Sequence, residues 1–156
     1  MKVFVTGATG YIGTIVAERL SAHGHHVLGL ARSAATIALL EERGIEPLHG
    51  NLHHAESIAR GTKLADGVIH LAVENRGPAG IQADATAIEA ILAALDGTGK
   101  PFIYTSGISL YGDTGEHVAD EDTPLNPLPY TTWRAEHEHR VLGASRRGIR
   151  SIAIRP

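Results

Sequence analysis

Cysteine is absent from the 156-residue chain. That excludes disulfides and cysteine-based zinc sites, and it fits a reducing compartment such as the cytoplasm. No apolar run approaches the ~20 residues that cross a bilayer, which argues against a membrane protein. Strand-forming residues begin at position 2, leaving no room for a signal peptide. A basic stripe is also missing. Lys and Arg are scattered and outnumbered, 14 against 17 Asp and Glu, so the footprint of a nucleic-acid binder is not there. Aromatics are sparse. What is present, 43% hydrophobic and 20% charged residues, is the composition of a globular protein, and the length suits one domain.

Apolar strands and amphipathic helices alternate along the chain. Residues 2–6 read as a first strand. The helix after it places Ile12, Ile15, Val16 and Leu20 on one face, with Gly24 as its stop. Residues 27–31 make a second strand, and Ser33 can cap the helix that follows and ends at Gly44. Residues 45–49 and 67–72 read as the third and fourth strands, with a weak helix near 55–60 between them. The polar stretch 74–80 reads as a loop over a ligand crevice. A helix over 81–95 points Ile88, Ile91, Leu92 and Leu95 inward. Residues 102–106 form a fifth strand, 107–128 are irregular, 130–146 are helical, and 149–154 form a buried sixth strand. The pattern predicts an α/β fold: a doubly wound parallel sheet of the Rossmann type, about six strands ordered 3-2-1-4-5-6 with helices on both faces. A chain stopping just after a buried strand is expected to leave apolar surface uncovered.

Chemistry should gather outside the C-terminal ends of the strands. The first of these ends carries Gly7, Gly10 and Gly13 at three-residue spacing, between an apolar strand and a helix start. Such a loop lets the backbone approach a pyrophosphate, and the helix N-terminus behind it offers unpaired N–H groups to the anion. The residues thus point to nucleotide binding.

The motif Thr6-Gly7-Ala8-Thr9-Gly10-Tyr11-Ile12-Gly13 resembles the cofactor loop of the short-chain dehydrogenase/reductase superfamily, in its extended and atypical branches, which include NAD-dependent epimerases and dehydratases. Later stretches agree in order: Gly50-Asn51-Leu52, Ile69-His70-Leu71-Ala72, Tyr104-Thr105-Ser106-Gly107 with Tyr111-Gly112, Tyr130-Thr131-Thr132-Trp133-Arg134 at the Tyr-x-x-x-Lys position, and Ile154-Arg155-Pro156. The resemblance implies an NAD(P)-binding domain over residues 1–156, without the family's C-terminal substrate-binding region. It implies a dinucleotide cofactor held by Gly7, Thr9, Gly10, Tyr11, Ile12, Gly13, Arg32, Ser33, Asn51, Leu52, Leu71, Ala72 and Thr105. Arg32, where an acid would favour NAD, can pair with a 2′-phosphate and so favours NADP, with NAD as the alternative. Asn51 replaces an Asp that accepts from the adenine amino group, a role an Asn carbonyl can also fill.

The implied reaction is hydride transfer to or from a carbonyl or carbinol carbon of a small molecule such as a nucleotide sugar. The catalytic set by this resemblance is Tyr130 as general acid/base, Arg134 as the charge that stabilises its phenolate, and Ser106 as the group that orients the oxygen. Two positions depart from the family. Arg134 stands for a Lys and cannot release a proton. Gly107 stands where a Ser or Thr polarises the carbonyl, so Ser106 or Ser109 substitutes. These departures keep a second reading open, a non-catalytic NADP-binding sensor or scaffold, and a third, an inactive fragment. Family members pair through two helices, which places a homodimer contact near 81–95 and 130–146. The ten histidines lack helical metal-pair spacing. They are expected to be solvated surface residues, with no metal site.

Overall fold

Apolar runs buried on both sides make the central strands. In the computed structural model, which describes residues 1–74 and 77–156, they are β1 (Lys2–Thr6), β2 (His26–Ala31), β3 (Glu46–His49), β4 (Gly67–His70), β5 (Pro101–Thr105) and β6 (Arg150–Ile154). All five pairings are parallel, and the strand order is the expected 3-2-1-4-5-6. The helices are α1 (Tyr11–Ala22), α2 (Ala34–Glu42), α3 (Ala55–Leu64), α4 (Pro78–Leu95) and α5 (Thr132–Gly143).

Side chains alternate across the sheet, so two cores form. Val3, Val5, Val27 and Ala31 pack with Ala17, Leu40 and Ile45 on one face. Phe4, Leu28, Val68, Phe102 and Tyr104 pack with Ile58, Ile88, Ile91, Leu92 and Val141 on the other. On the second face the register sets Phe4, Val68 and Phe102 side by side, and two residues further on Thr6, His70 and Tyr104. An apolar row is thus followed by a polar one at the C-terminal end of the three central strands.

Several expectations need correction. The buried face of α1 is Gly13 and Ala17, with Ile12 and Ile15 exposed. Small residues let this helix lie close to the loop before it, and the isoleucines are left outside. Helix α4 starts at Pro78 behind Gly77, so the crevice loop expected over 74–80 is partly helical. Asn75 and Arg76 lie outside the described residues. Tyr130 sits in a 3-10 turn (Pro129–Thr131) that precedes α5. The sixth strand is an edge with no fully buried residue, and Ile152 and Ile154 are each about half exposed. His70 and His137 are buried, not solvated. No helix among the described residues is long and apolar enough to cross a membrane.

Candidate functional site

The loop after β1 is built around two close approaches. Gly7 has φ +75°, and a Cβ there would lie 2.8 Å from the Ala72 nitrogen. A Cβ on Gly13 would lie 1.9 Å from the Gly7 carbonyl oxygen. The Gly10 N–H donates to that same oxygen at 2.9 Å, which closes the turn. Helix α1 starts with no side-chain cap, and its first residues Tyr11, Ile12 and Gly13 line a cleft. Uncapped N–H groups behind a glycine turn suit a pyrophosphate.

This cleft, about 680 Å³ in volume, collects all the predicted cofactor residues except Ser33 and Thr105. Gly7, Thr9, Gly10, Tyr11, Ile12 and Gly13 form its floor, with Arg32, Asn51 and Leu52 on the β2–β3 side and Leu71 and Ala72 on the β4 side. Ser33 is spent on capping α2: its Oγ accepts from the Thr36 N–H at 3.2 Å, and Thr36 lines the cleft instead. Thr105 stands at the end of β5, where its carbonyl accepts from Arg134 at 3.2 Å. Asn51 Oδ1 accepts from the His53 N–H at 2.9 Å, leaving one lone pair for a ligand. Leu30, Gly50, Val73 and Glu74 also line the cleft; of these only Leu30 lies away from the strand ends and the crevice loop that the sequence marked. Glu74 faces Arg32 at 3.9 Å and His53 at 3.0 Å.

The three catalytic candidates make no hydrogen bond to one another among the described residues. Tyr130 is largely exposed, and its carbonyl accepts from Trp133 Nε1 at 3.1 Å. Arg134 lies over the Trp133 ring at 4.4 Å and reaches back to the sheet, to the Thr105 carbonyl and, at 3.4 Å, the Tyr104 hydroxyl. Ser106 is buried, and among the described residues its Oγ has no hydrogen bond of ordinary geometry; burial pushes the nearby Glu138 carboxyl up, but Arg155 and then Ser106 outweigh it and hold that pKa down.

Beneath the cleft the polar row of the sheet meets a carboxylate. Asp84, on α4 and 1% exposed, accepts from His70 Nε2 at 2.9 Å, His137 Nδ1 at 2.7 Å and the Tyr104 hydroxyl at 3.1 Å. A carboxylate only accepts, so both histidines must present N–H to it. When neutral, His70 then accepts at Nδ1 from Thr6 Oγ1, 2.6 Å away, and that oxygen accepts from the Ala72 N–H at 3.3 Å. The chain of bonds runs from the cleft wall at Ala72, through the core, to Arg134. Burial pushes the Asp84 carboxyl up, but the hydrogen bonds from His137 and His70 prevail and hold it well below the usual carboxylate range. Burial and the neighbouring Asp84 charge push the Tyr104 phenol up, so it stays protonated as a donor.

A second ion pair, a partly buried Arg155 on a buried Glu138, ties down the irregular segment after β5. The Arg155 guanidinium donates to both oxygens of Glu138, through Nε at 3.2 and 3.1 Å, and to the Tyr111 hydroxyl. That hydroxyl donates to the Asp120 carbonyl at 2.7 Å. Among the described residues no group of three or more His, Asp or Glu could hold a metal ion.

The family model described as "NAD dependent epimerase/dehydratase family" matches residues 3–156. An uncharacterized protein of Schizosaccharomyces pombe (strain 972 / ATCC 24843) is 34% identical over 99% of this chain and 52% of its own length. The 4-hydroxy-2-methyl-3-oxo-4-farnesyl-3,4-dihydroquinoline-1-oxide ketoreductase of Stigmatella aurantiaca is 29% identical over 100% of this chain and 49% of its own. Among solved structures, the UDP-glucose 4-epimerase of Thermus thermophilus, in complex with NAD, superposes with a TM-score of 0.82 at 24% identity, over 99% of this chain and 54% of that one. The chain therefore spans about half the length of the relatives it matches.

Proposed function

Since the chain belongs to the NAD-dependent epimerase/dehydratase family, we propose that it is the dinucleotide-binding domain of an oxidoreductase or epimerase that moves hydride to or from a carbonyl or carbinol carbon. The observation that carries this is the cradle: two glycines whose Cβ atoms would strike backbone, beside an uncapped helix start, at the floor of a cleft lined by the cofactor candidates. A bound nicotinamide would supply the hydride acceptor or donor at C4. A nucleotide sugar is one class of substrate this reading admits. The groove of about 650 Å³ beside α4 and α5 is where we place a homodimer contact. The absence of cysteine supports a cytoplasmic setting.

Within the cleft Arg32 supports NADP over NAD, because a guanidinium pairs with a 2′-phosphate. Arg32→Asp should reverse the preference between NADPH and NADH in fluorescence titrations. An unchanged ratio would refute that assignment.

For the reaction itself, Tyr130 would exchange the proton, Arg134 would supply the charge and Ser106, whose hydroxyl has no well-formed hydrogen bond, would orient the oxygen. Tyr130→Phe should lower carbonyl-dependent NADPH oxidation by roughly 100-fold or more. If turnover survives, Tyr130 is not the acid. The engagement of Arg134 by Tyr104 and Thr105 favours a second reading, a module that binds the cofactor without turnover. That reading predicts saturable binding and no NADPH oxidation.

A further inference from the structure

Among the described residues Glu74 is the one acid lining the cofactor cleft, and it comes from the opposite wall to the cation it faces. Arg32 follows β2 and His53 lies beyond β3, whereas Glu74 lies beyond β4, with β1 between these two sides in the sheet. Its Oε2 is 3.0 Å from His53 Nε2, and its Oε1 is 3.9 Å from Arg32 Nη1. The carboxylate is about four-fifths buried, while Arg32 and His53 are half or more exposed. One acid therefore spans the cleft and occupies the anion position that both basic side chains offer.

We infer that Glu74 sets the cofactor preference of this cleft: it supplies, from beyond β4, the acid that the end of β2 lacks. The inference rests on the dinucleotide reading above. A 2′-phosphate brought to Arg32 would meet a like charge already seated there, and it must displace Glu74 or sit beside it. A ribose 2′-hydroxyl meets no such repulsion and can donate to the same carboxylate. Arg32 and Glu74 thus act in opposite directions on one choice, and an NADP preference inferred from Arg32 alone is too large.

The test uses Glu74→Gln, which keeps the shape and the hydrogen-bonding reach of the side chain but removes the charge. Dissociation constants for NADPH and NADH are measured by fluorescence titration, and those for 2′,5′-ADP and ADP by competition. The variant should favour NADPH over NADH roughly tenfold more than the wild type, the size of one good charge-assisted contact. It should bind 2′,5′-ADP tighter by a similar factor, while ADP, whose 2′-hydroxyl keeps a neutral amide acceptor in place of the carboxylate, binds no tighter and up to a few-fold weaker, which confines the gain to the 2′-phosphate. An unchanged NADPH-to-NADH ratio, or equal gains for ADP and 2′,5′-ADP, overturns the inference while leaving cofactor binding intact. If neither protein binds any of the four, the dinucleotide reading falls and the inference falls with it.

Discussion

Asp84→Ala should lower the stability of the fold by about 3–5 kcal/mol, the range for removing one partner from a buried charged network. The reason is the number of donors left behind. His70, His137 and Tyr104 all give N–H or O–H to this carboxylate, and all three are buried. Each orphaned buried donor carries a desolvation penalty of about 1–3 kcal/mol, partly relieved by relaxation. For a chain of this size the melting temperature should fall by roughly 10 °C or more. Asp84→Asn should cost less, because the amide oxygen still accepts. The acid dependence separates the charge from the packing. The folded-state pKa of Asp84 lies below its unfolded value of about 3.9. Its stabilisation is therefore fully present above that value and is lost as pH falls through it toward the folded pKa. Wild type should lose more stability than Asp84→Asn between about pH 5 and pH 2. Thermal unfolding of both proteins across that range checks it, and parallel curves would count against an ionised Asp84.

Gly13→Ala should weaken dinucleotide binding on the order of 100-fold, equivalent to about 2.7 kcal/mol. The added Cβ would sit 1.9 Å from the Gly7 carbonyl oxygen, a backbone atom that no side-chain rotation can move aside. The loop and α1 must part, and the floor of the cleft parts with them. Overpacking of this kind costs about 1–3 kcal/mol in stability, so the variant should remain folded at room temperature. Gly143→Ala is the matching control. Gly143 has φ −61° and open space where its Cβ would go, so neither stability nor binding should fall. Titration of the three proteins with NADPH, beside their melting curves, separates loss of the cradle from loss of the fold.

The sheet was legible because its strands are apolar runs and its helices have a clear period. The order 3-2-1-4-5-6 then follows from right-handed crossovers. The cradle was legible because only glycine tolerates its geometry, so chemistry and residue type coincide. The side of α1 that faces the sheet was not, because Gly13 and Ala17 carry no hydrophobic signal while Ile12 and Ile15 carry a misleading one. The buried network was missed for a similar reason. Asp84 precedes Ile88 by four residues and Ile91 by seven, on the apolar stripe of α4, and a lone acid at that spacing is a signal. Its partners His70 and His137 come from other elements, and only the fold brings them to it. Glu74 was legible as part of a loop over the crevice, but its pairing with Arg32 and His53 crosses the cleft, and no spacing along the chain records it. The anchoring of Arg134 to Tyr104 and Thr105 left no trace in the sequence, because β5 and α5 meet only in the fold.

The central claim is that the glycine cradle and the cleft above it hold a dinucleotide. Isothermal titration of the wild-type chain with NADPH and with NADH tests it directly. Saturable binding of at least one cofactor is expected, with one site per chain, and it should be lost in Gly13→Ala. No saturable heat with either cofactor, or equal binding by wild type and Gly13→Ala, would contradict it.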